Sequence, residues 1–535
     1  MICFILLLSR FNPSVSVMGQ SVPTDWKDYS FIKTSDAWLT SENAAGLKEL
    51  DVSKVSMAEI SYYKENGDFI NYHQSNNSYK VGANIESLHR LNSKIVLFGK
   101  ISYDLFEGKN MSGSAFIHPE ETPFDIVEYD WSAQGNKKLE NYHLIGAVSA
   151  DLYKGLILGG KIDFKASNYA KDKDLRHKNT LSDMHATIGL SHEITPFLDV
   201  GVNYYYRRRN EGVTFNMYGT TDKLYESLIS YGVFYGRNEA FEGTEGYTAK
   251  NKTNPLFDEY QGGAVQLKIN FNSQLDFYNE FAYKKREGHY GKKSSSTPVY
   301  SQHHSHIYAY TGKLNYRHKK SLHSLDLALN QEKLENLENI YLIEKPQGGA
   351  TNLITYYDPL KVGDKKILNA KMEYTAHLGI EGLNPTWTLK GGIHYYNRKQ
   401  TASVYPFFRT QTIRQTAFHL GVVRNIVKKQ NMYSFSVRAI YSTGNDTPKQ
   451  EGHYDTPSED QVSPPNSDYN LYKEHEYLTC KQAQGNFGIK YSRLFPKIKM
   501  KGHASIHYTL TQAFNTKHLE GSSFNQLKIT IGCTF

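Results

Sequence analysis

Three cysteines in 535 residues, one of them at position 3, leave no disulfide framework for an exported protein to be built around. Beyond the N-terminus there is also no apolar run near the roughly 18 residues that a membrane-crossing helix requires. A helical membrane protein is therefore excluded. A chain that crosses with strands is not, because only every second residue of such a strand must face lipid. That is compatible with a hydrophobic content of 39% and a mean hydropathy of −0.58. Tryptophan is scarce too, 4 residues against 41 tyrosines and 26 phenylalanines. Tyrosine suits a pleated surface and the headgroup level of a bilayer, where its ring sits in apolar surroundings and its hydroxyl in water. By composition alone, a secreted all-β protein fits equally well.

The N-terminus points to export. Cys3 to Leu8 is a short apolar core, and Val17-Met18-Gly19 before Gln20 offers small or modest residues for cleavage. The basic residue, Arg10, follows the apolar run instead of preceding it, so the signal is irregular in form. Residues 1–19 are expected to be a signal peptide, without a lipid anchor.

Alternation carries the fold. In the last segment Leu527, Ile529, Ile531, Cys533 and Phe535 share one parity, and Gln526, Lys528, Thr530, Gly532 and Thr534 share the other. One face in lipid and one in a polar lumen produce this pattern. The closing aromatic, Phe535, resembles the insertion signal of outer-membrane barrels. The same parity recurs from Leu156 to Phe164, Met184 to Leu190, Leu198 to Tyr206, Val265 to Phe271 and Tyr433 to Tyr441. Such segments run to about twice the five or six residues usual in globular strands, close to a tilted bilayer span.

About eighteen such segments can be drawn between residues 54 and 535, with 14 or 16 if the pairs at 54–64 and 305–332 are discounted. The expected fold is an all-β, transmembrane, antiparallel up-and-down barrel with short periplasmic turns and long extracellular loops. Asn92-Ser93, Tyr153-Lys154, Thr195-Pro196, Ser273 and Phe495-Pro496 read as the tight turns. The stretches 107–139, 209–257, 333–366 and 444–476 read as the long loops. Residues 20–53 precede the first strand and are long enough to enter the lumen as a plug.

Inward parity falls on charges of both signs: Glu86, Asp151, Lys161, Asp163, Lys165, Asp183, Arg207, Lys268, Glu280, Lys371, Glu373 and Arg438. They can pair across the interior and block it, or line a hydrated path. Catalytic constellations are not evident: His503-Ala504-Ser505 and His507 alternate along one strand without a nucleophile's setting, so no enzyme is expected. His304 and His306 would share one strand face and are candidate metal ligands, with His303 pointing away and no acid or thiol to complete a set. No cofactor is expected. Loop oxygens at Asn445, Asp446, Asp455, Glu459, Asp460 and Asp468 have no diagnostic Ca²⁺ spacing. A net charge of +8 and the run Arg207-Arg208-Arg209 suit outer-membrane lipid and lipopolysaccharide as partners, and not nucleic acid.

Trp38 with Asn43-Ala44-Ala45-Gly46-Leu47, the segment Phe98 to Asp104 (FGKISYD) and Pro123 to Asp130 (PFDIVEYD) resemble a Bacteroides-type family of outer-membrane barrels of unknown function. The resemblance covers nearly the whole mature chain. Such barrels occur beside nutrient-uptake receptors and surface lipoproteins. The resemblance thus implies an accessory or channel role in taking up a nutrient such as iron or haem, with a TonB-dependent receptor and a surface lipoprotein as partners. The five residues 43–47 also resemble the start of hydrophobic-compound transporters related to the fatty-acid channel, an interior less charged than this one. A closed barrel that binds partners through its long loops is the alternative.

Overall fold

The computed structural model describes residues 26–128, 133–218, 225–241, 245–294, 297–344 and 352–535. The expected signal peptide at 1–19 lies outside them. Among the described residues eighteen antiparallel strands form one closed wall: Lys54–Gly67, Asn77–Arg90, Ile95–Met111, Gly135–Tyr153, Leu156–Lys171, Arg176–Thr195, Leu198–Asn216, Thr253–Asn270, Leu275–Tyr290, Ser301–His318, Ser321–Glu338, Leu360–Glu381, Asn384–Val404, Phe407–Lys428, Asn431–Asn445, Lys481–Phe495, Met500–Phe514 and Ser523–Thr534. The first strand pairs with the last, from Met57 opposite Thr534 to Gly67 opposite Phe524. Ser56 and Phe535 exchange two backbone hydrogen bonds, 2.8 and 2.9 Å, so the terminal aromatic completes the seam. Both pairs that a lower strand count would discount are present.

The wall is turned inside out relative to a soluble protein. Ile60, Ile85, Ile101, Phe281, Leu420 and Ile531 are between 50 and 70% exposed, all on the outer face. Aromatic residues flank this apolar band: Tyr153, Phe197, Phe271, Tyr316 and Trp387 toward the tight turns, Tyr62, Tyr142, Tyr283, Tyr308 and Tyr441 toward the long loops. An apolar belt between aromatic girdles is what a bilayer asks of a barrel. No described helix is long and apolar enough to cross a membrane. The strands reach 22 residues, longer than the tilted bilayer span that the sequence suggests. Pairing continues past the lipid-facing band because neighbouring strands go on satisfying each other's backbone groups at the loop end.

Both mouths are occupied. At the turn end, residues 26–53 lie across the lumen as helix α1 (Tyr29–Thr34) and two 3₁₀ turns, Trp38–Thr40 and Ala44–Glu49. Asp28 and Asn43 cap these pieces by accepting from the amides of Phe31 and Ala45. At the loop end, Asp125–Glu128, Glu226–Ser230 and Gly236–Ala240 form a small three-stranded sheet from two different loops. Helix α2 (Asp468–Thr479) lies against it, with Leu471 buried among Tyr72, Val127, Leu228, Val233 and Phe234. A second apolar cluster, including Phe116, Phe124, Ile126, Ile229, Tyr247 and Tyr290, binds this lid to the inner wall.

Candidate functional site: the plugged lumen

The plug is seated on three glycines. Gly159 and Gly189 face each other across neighbouring strands, and Gly201 follows on the next strand. A Cβ at Gly159 would overlap the backbone of Ala44 and Ala45; at Gly189 it would overlap the Asn43 carboxamide, and at Gly201 the Trp38 ring. Without those side chains the 43–47 segment approaches the wall closely enough for Asn43 Nδ2 to donate to Leu190 O (3.0 Å), Val202 O (3.3 Å) and Gln266 Oε1 (3.0 Å). Ser149 Oγ donates to Ala45 O at 2.9 Å. Ion pairs hold the remainder: Lys268 to Asp36 at 2.7 Å, Lys161 to Glu42 at 3.0 Å, Lys48 to Asp151 at 2.7 Å, and Lys33 to Glu86. Phe31 meets the His377 ring edge-on, 5.0 Å between centroids, on the opposite side of the lumen.

The sequence-derived lumen residues fall into four groups. Lys161 and Lys268 grip the plug, and Glu280 accepts from Ser41 at 2.8 Å. Asp163 pairs with His143 at 2.8 Å, and Asp183 binds Arg207 through two bonds of 2.8 and 2.7 Å, both within the wall. Lys371 and Glu373, 3.6 Å apart, line a cavity of about 550 Å³ beside the plug. Arg438 lies over Gly421 on the inner face of the adjoining strands and has no hydrogen bond or ion pair among the described residues.

That cavity runs between α1 and the wall strands from Thr311 to His507. Its cations are Lys313, Lys371, Lys390 and Lys490, and toward the turn end Lys501, which donates to the Lys27 carbonyl. Its carboxylates are Asp28, Asp326 and Glu373. Asp28 is engaged at the helix cap and Asp326 pairs with Lys313 at 2.8 Å. Glu373 is shared by Lys371, Lys390 at 3.3 Å and His419 at 3.0 Å.

At the lid, cations on the wall hold acceptors on the loops. Arg398 makes a two-pronged contact to Glu474 of α2, 2.9 and 2.7 Å. Arg409 binds Asp468 at 3.0 Å and also Glu451. Lys365 donates to the carbonyls of Glu120 and Thr122, both at 2.9 Å. Burial pushes the Asp125 carboxyl of the lid sheet up to about 6, against hydrogen bonds from Ser114 and Tyr72 that favour its charge. Burial pushes the loop residue His73 down to about 4.

His304 and His306 stand on the outer face. His304 lies 3.6 Å from Glu335, and His306 shares a hydrogen bond of 2.8 Å with the Tyr283 hydroxyl. Among the described residues no three His, Cys, Asp or Glu side chains converge as a metal site. The neighbour set aside in the sequence, His303, is the buried one: it and Arg286 meet the same Asp258 oxygen at 2.7 and 2.6 Å. The arginine run splits as strand alternation demands. Arg207 and Arg209 turn inward to Asp183 and Glu211, and Arg208 alone points outward, over the Phe257 ring. Cys480 and Cys533 are both free, at opposite ends of the barrel wall. Asn43, the three glycines under it, Lys390 and Lys490 escaped the sequence reading as site residues. The parity that marks Lys371 as inward would have marked both lysines.

Fold and lumen together define a membrane-spanning β-barrel stoppered by its own N-terminal segment. The chain belongs to a family of unknown function, DUF6850, whose model matches residues 44–535. No curated protein matches the sequence. Among solved structures it is similar to BauA, the ferric preacinetobactin receptor of Acinetobacter baumannii, at 8% identity and a TM-score of 0.42, covering 90% of this chain and 80% of that one. It is similar also to the toluene transporter TbuX of Ralstonia pickettii, at 10% identity and a TM-score of 0.29, covering 92% of each chain. The FrpB iron transporter of Neisseria meningitidis (F5-1 variant) shows 8% identity and a TM-score of 0.34, over 92% of this chain and 83% of that one. These likenesses are of barrel architecture, and nothing about cargo follows from them.

Proposed function

We propose that the protein is an outer-membrane barrel that serves nutrient uptake as a gated passage or accessory channel, shut at rest by plug and lid. The observation that supports this reading is the manner of closure. The plug is a segment fastened by ion pairs and one side-chain amide, and a chamber of about 550 Å³ lined by charged and hydroxyl groups persists beside it. An eighteen-strand wall is wide enough to pass solutes once such an insert moves. Tight turns face the periplasm and long loops the medium, where the outward cations Lys138, Lys178 and Arg208 suit lipopolysaccharide phosphates.

Planar-bilayer recording tests the passage. The native chain is expected to be nearly silent. Replacing Lys161 and Lys268 by Glu turns two plug attractions into repulsions, toward Glu42 and Asp36, and is expected to produce discrete open steps. The same lid that blocks the mouth favours a second reading, a shut barrel that binds protein partners through its folded loops. Silence from both native and substituted protein would leave that reading standing and remove the passage.

A further inference from the structure

The chamber beside α1 carries more fixed positive charge than its own carboxylates can answer. Lys313 is matched by Asp326. Lys371 and Lys390 divide one carboxylate, Glu373, which His419 also contacts. Lys490 lines the same cavity and, among the described residues, has no hydrogen bond or ion pair; Glu59, the carboxylate within its electrostatic reach, is taken by His503 at 2.9 Å. Arg438, two residues along from the lining residue Ser436, is likewise unpaired. Hydroxyl and imidazole groups that can donate surround these cations: Thr311, Thr375, Ser434, Ser436 and His507. Self-paired interiors elsewhere in this wall look different, since Arg207 finds both oxygens of Asp183 and Arg286 finds Asp258. A recess of cations between low-dielectric walls concentrates anions, and a ligand with several anionic oxygens can bridge ammonium groups by charge-assisted hydrogen bonds.

We propose that this chamber is a binding site for a small, multiply charged anion, carboxylate- or phosphate-bearing, with Lys390 and Lys490 as its principal contacts and Arg438 beside them. The proposal rests on the passage reading for its biological meaning and not for its chemistry. The chamber's volume admits a solute of citrate or pyrophosphate size, and its lining lysines suit such an anion better than the hydrophobic cargo that residues 43–47 suggest by resemblance.

Citrate and inorganic pyrophosphate are the probes, titrated calorimetrically into the full-length protein in neutral detergent at low salt. One saturable site is expected, weakened by added sodium chloride. Lys390→Gln combined with Lys490→Gln is expected to lower affinity by about tenfold or more. Lys490→Arg keeps the charge and should retain binding. Lys320→Gln, at an exposed turn, should change nothing, and retained heat-modifiable migration shows that each variant is folded. A second arm uses the plug-loosened Lys161→Glu, Lys268→Glu protein under a potassium chloride gradient, where neutralising Lys390 and Lys490 should move the reversal potential away from chloride and toward potassium. No binding of either probe, equal binding by the double-Gln protein, or an open pore whose reversal potential is the same with and without the two lysines would each overturn the anion site. A silent pore with intact, lysine-dependent binding would overturn the passage reading instead and uphold the site. Binding of only one probe upholds the site and assigns its preference between carboxylate and phosphate.

Discussion

Gly159 matters because of what it lacks. The backbone of Ala44 and Ala45 occupies the space where its Cβ would be, and Asn43 and Trp38 press in the same way on Gly189 and Gly201. Gly159→Val is expected to leave the wall intact, since Val suits a strand, and to lift the 43–47 segment from its seat. Protease cutting within residues 26–53 and the appearance of bilayer current would both report it; a plug still protected would mean the glycines are not its seat. Titration of the lid also resolves to single residues. Asp125 has a folded value near 6, above its ordinary one, so its contribution is fully present at low pH and is lost as pH rises through about 6. His73, held near 4, works oppositely: its contribution is present above about 6.5 and is lost as pH falls through about 4. Between pH 6.5 and 4 the two oppose each other. Asp125→Asn should therefore make the lid loosen on acidification, and His73→Gln should make it tighten. Loop protection from protease, followed across that window, measures both.

Helix α2 shows how a single element is tied to the wall. Burial alone would raise the Glu474 carboxyl, yet the Arg398 guanidinium holds it below the usual range. Arg398→Met leaves that carboxylate buried without its partner, an arrangement that costs about 3–5 kcal/mol. The expected outcome is early, local loss of the lid in a urea titration, with the wall transition unchanged; adding Glu474→Gln should recover part of the loss. The sequence did not disclose this helix. Its thirteen-residue neighbourhood from Ser467 is polar on nearly every side, with Leu471 as its deeply buried apolar residue, so there is no period of 3.6 to read. The long loop read from the sequence ends at 476, so the last residues of α2, to Thr479, lie beyond it. Wall strands were legible for the converse reason: lipid outside and water inside impose a period of two on every one of them, including the weaker segments at 54–64 and 305–332. Asn43-Ala44-Ala45-Gly46-Leu47 could be noticed in the sequence, but not its seat, because the glycines beneath it lie more than a hundred residues away. Likewise, parity told which charges face inward and could not tell which of them find a partner. The side-chain contacts, which depend on register across strands, leave Lys490 and Arg438 without a hydrogen bond or ion pair among the described residues.

At the scale of the whole molecule, the apolar belt dictates the solvent. Ile101 lies six residues up its strand from a tight turn, on the outer face and 58% exposed. Ile101→Arg places a charge near the middle of the hydrocarbon and is expected to destabilise the folded barrel by about 2–4 kcal/mol. Reversible folding into phospholipid vesicles would measure this; a soluble-facing surface would show almost no effect. The wall is sealed by its earliest strand meeting its latest, Met57 beside Thr534 and Ser56 beside Phe535. The stopper precedes the first of these in the chain, and the cap at the far mouth is stitched from loops that lie between them. The last dozen residues are thus the final stave of the vessel: they span the gap between Lys54–Gly67 and Met500–Phe514, and without them the side that holds stopper and cap would stand open.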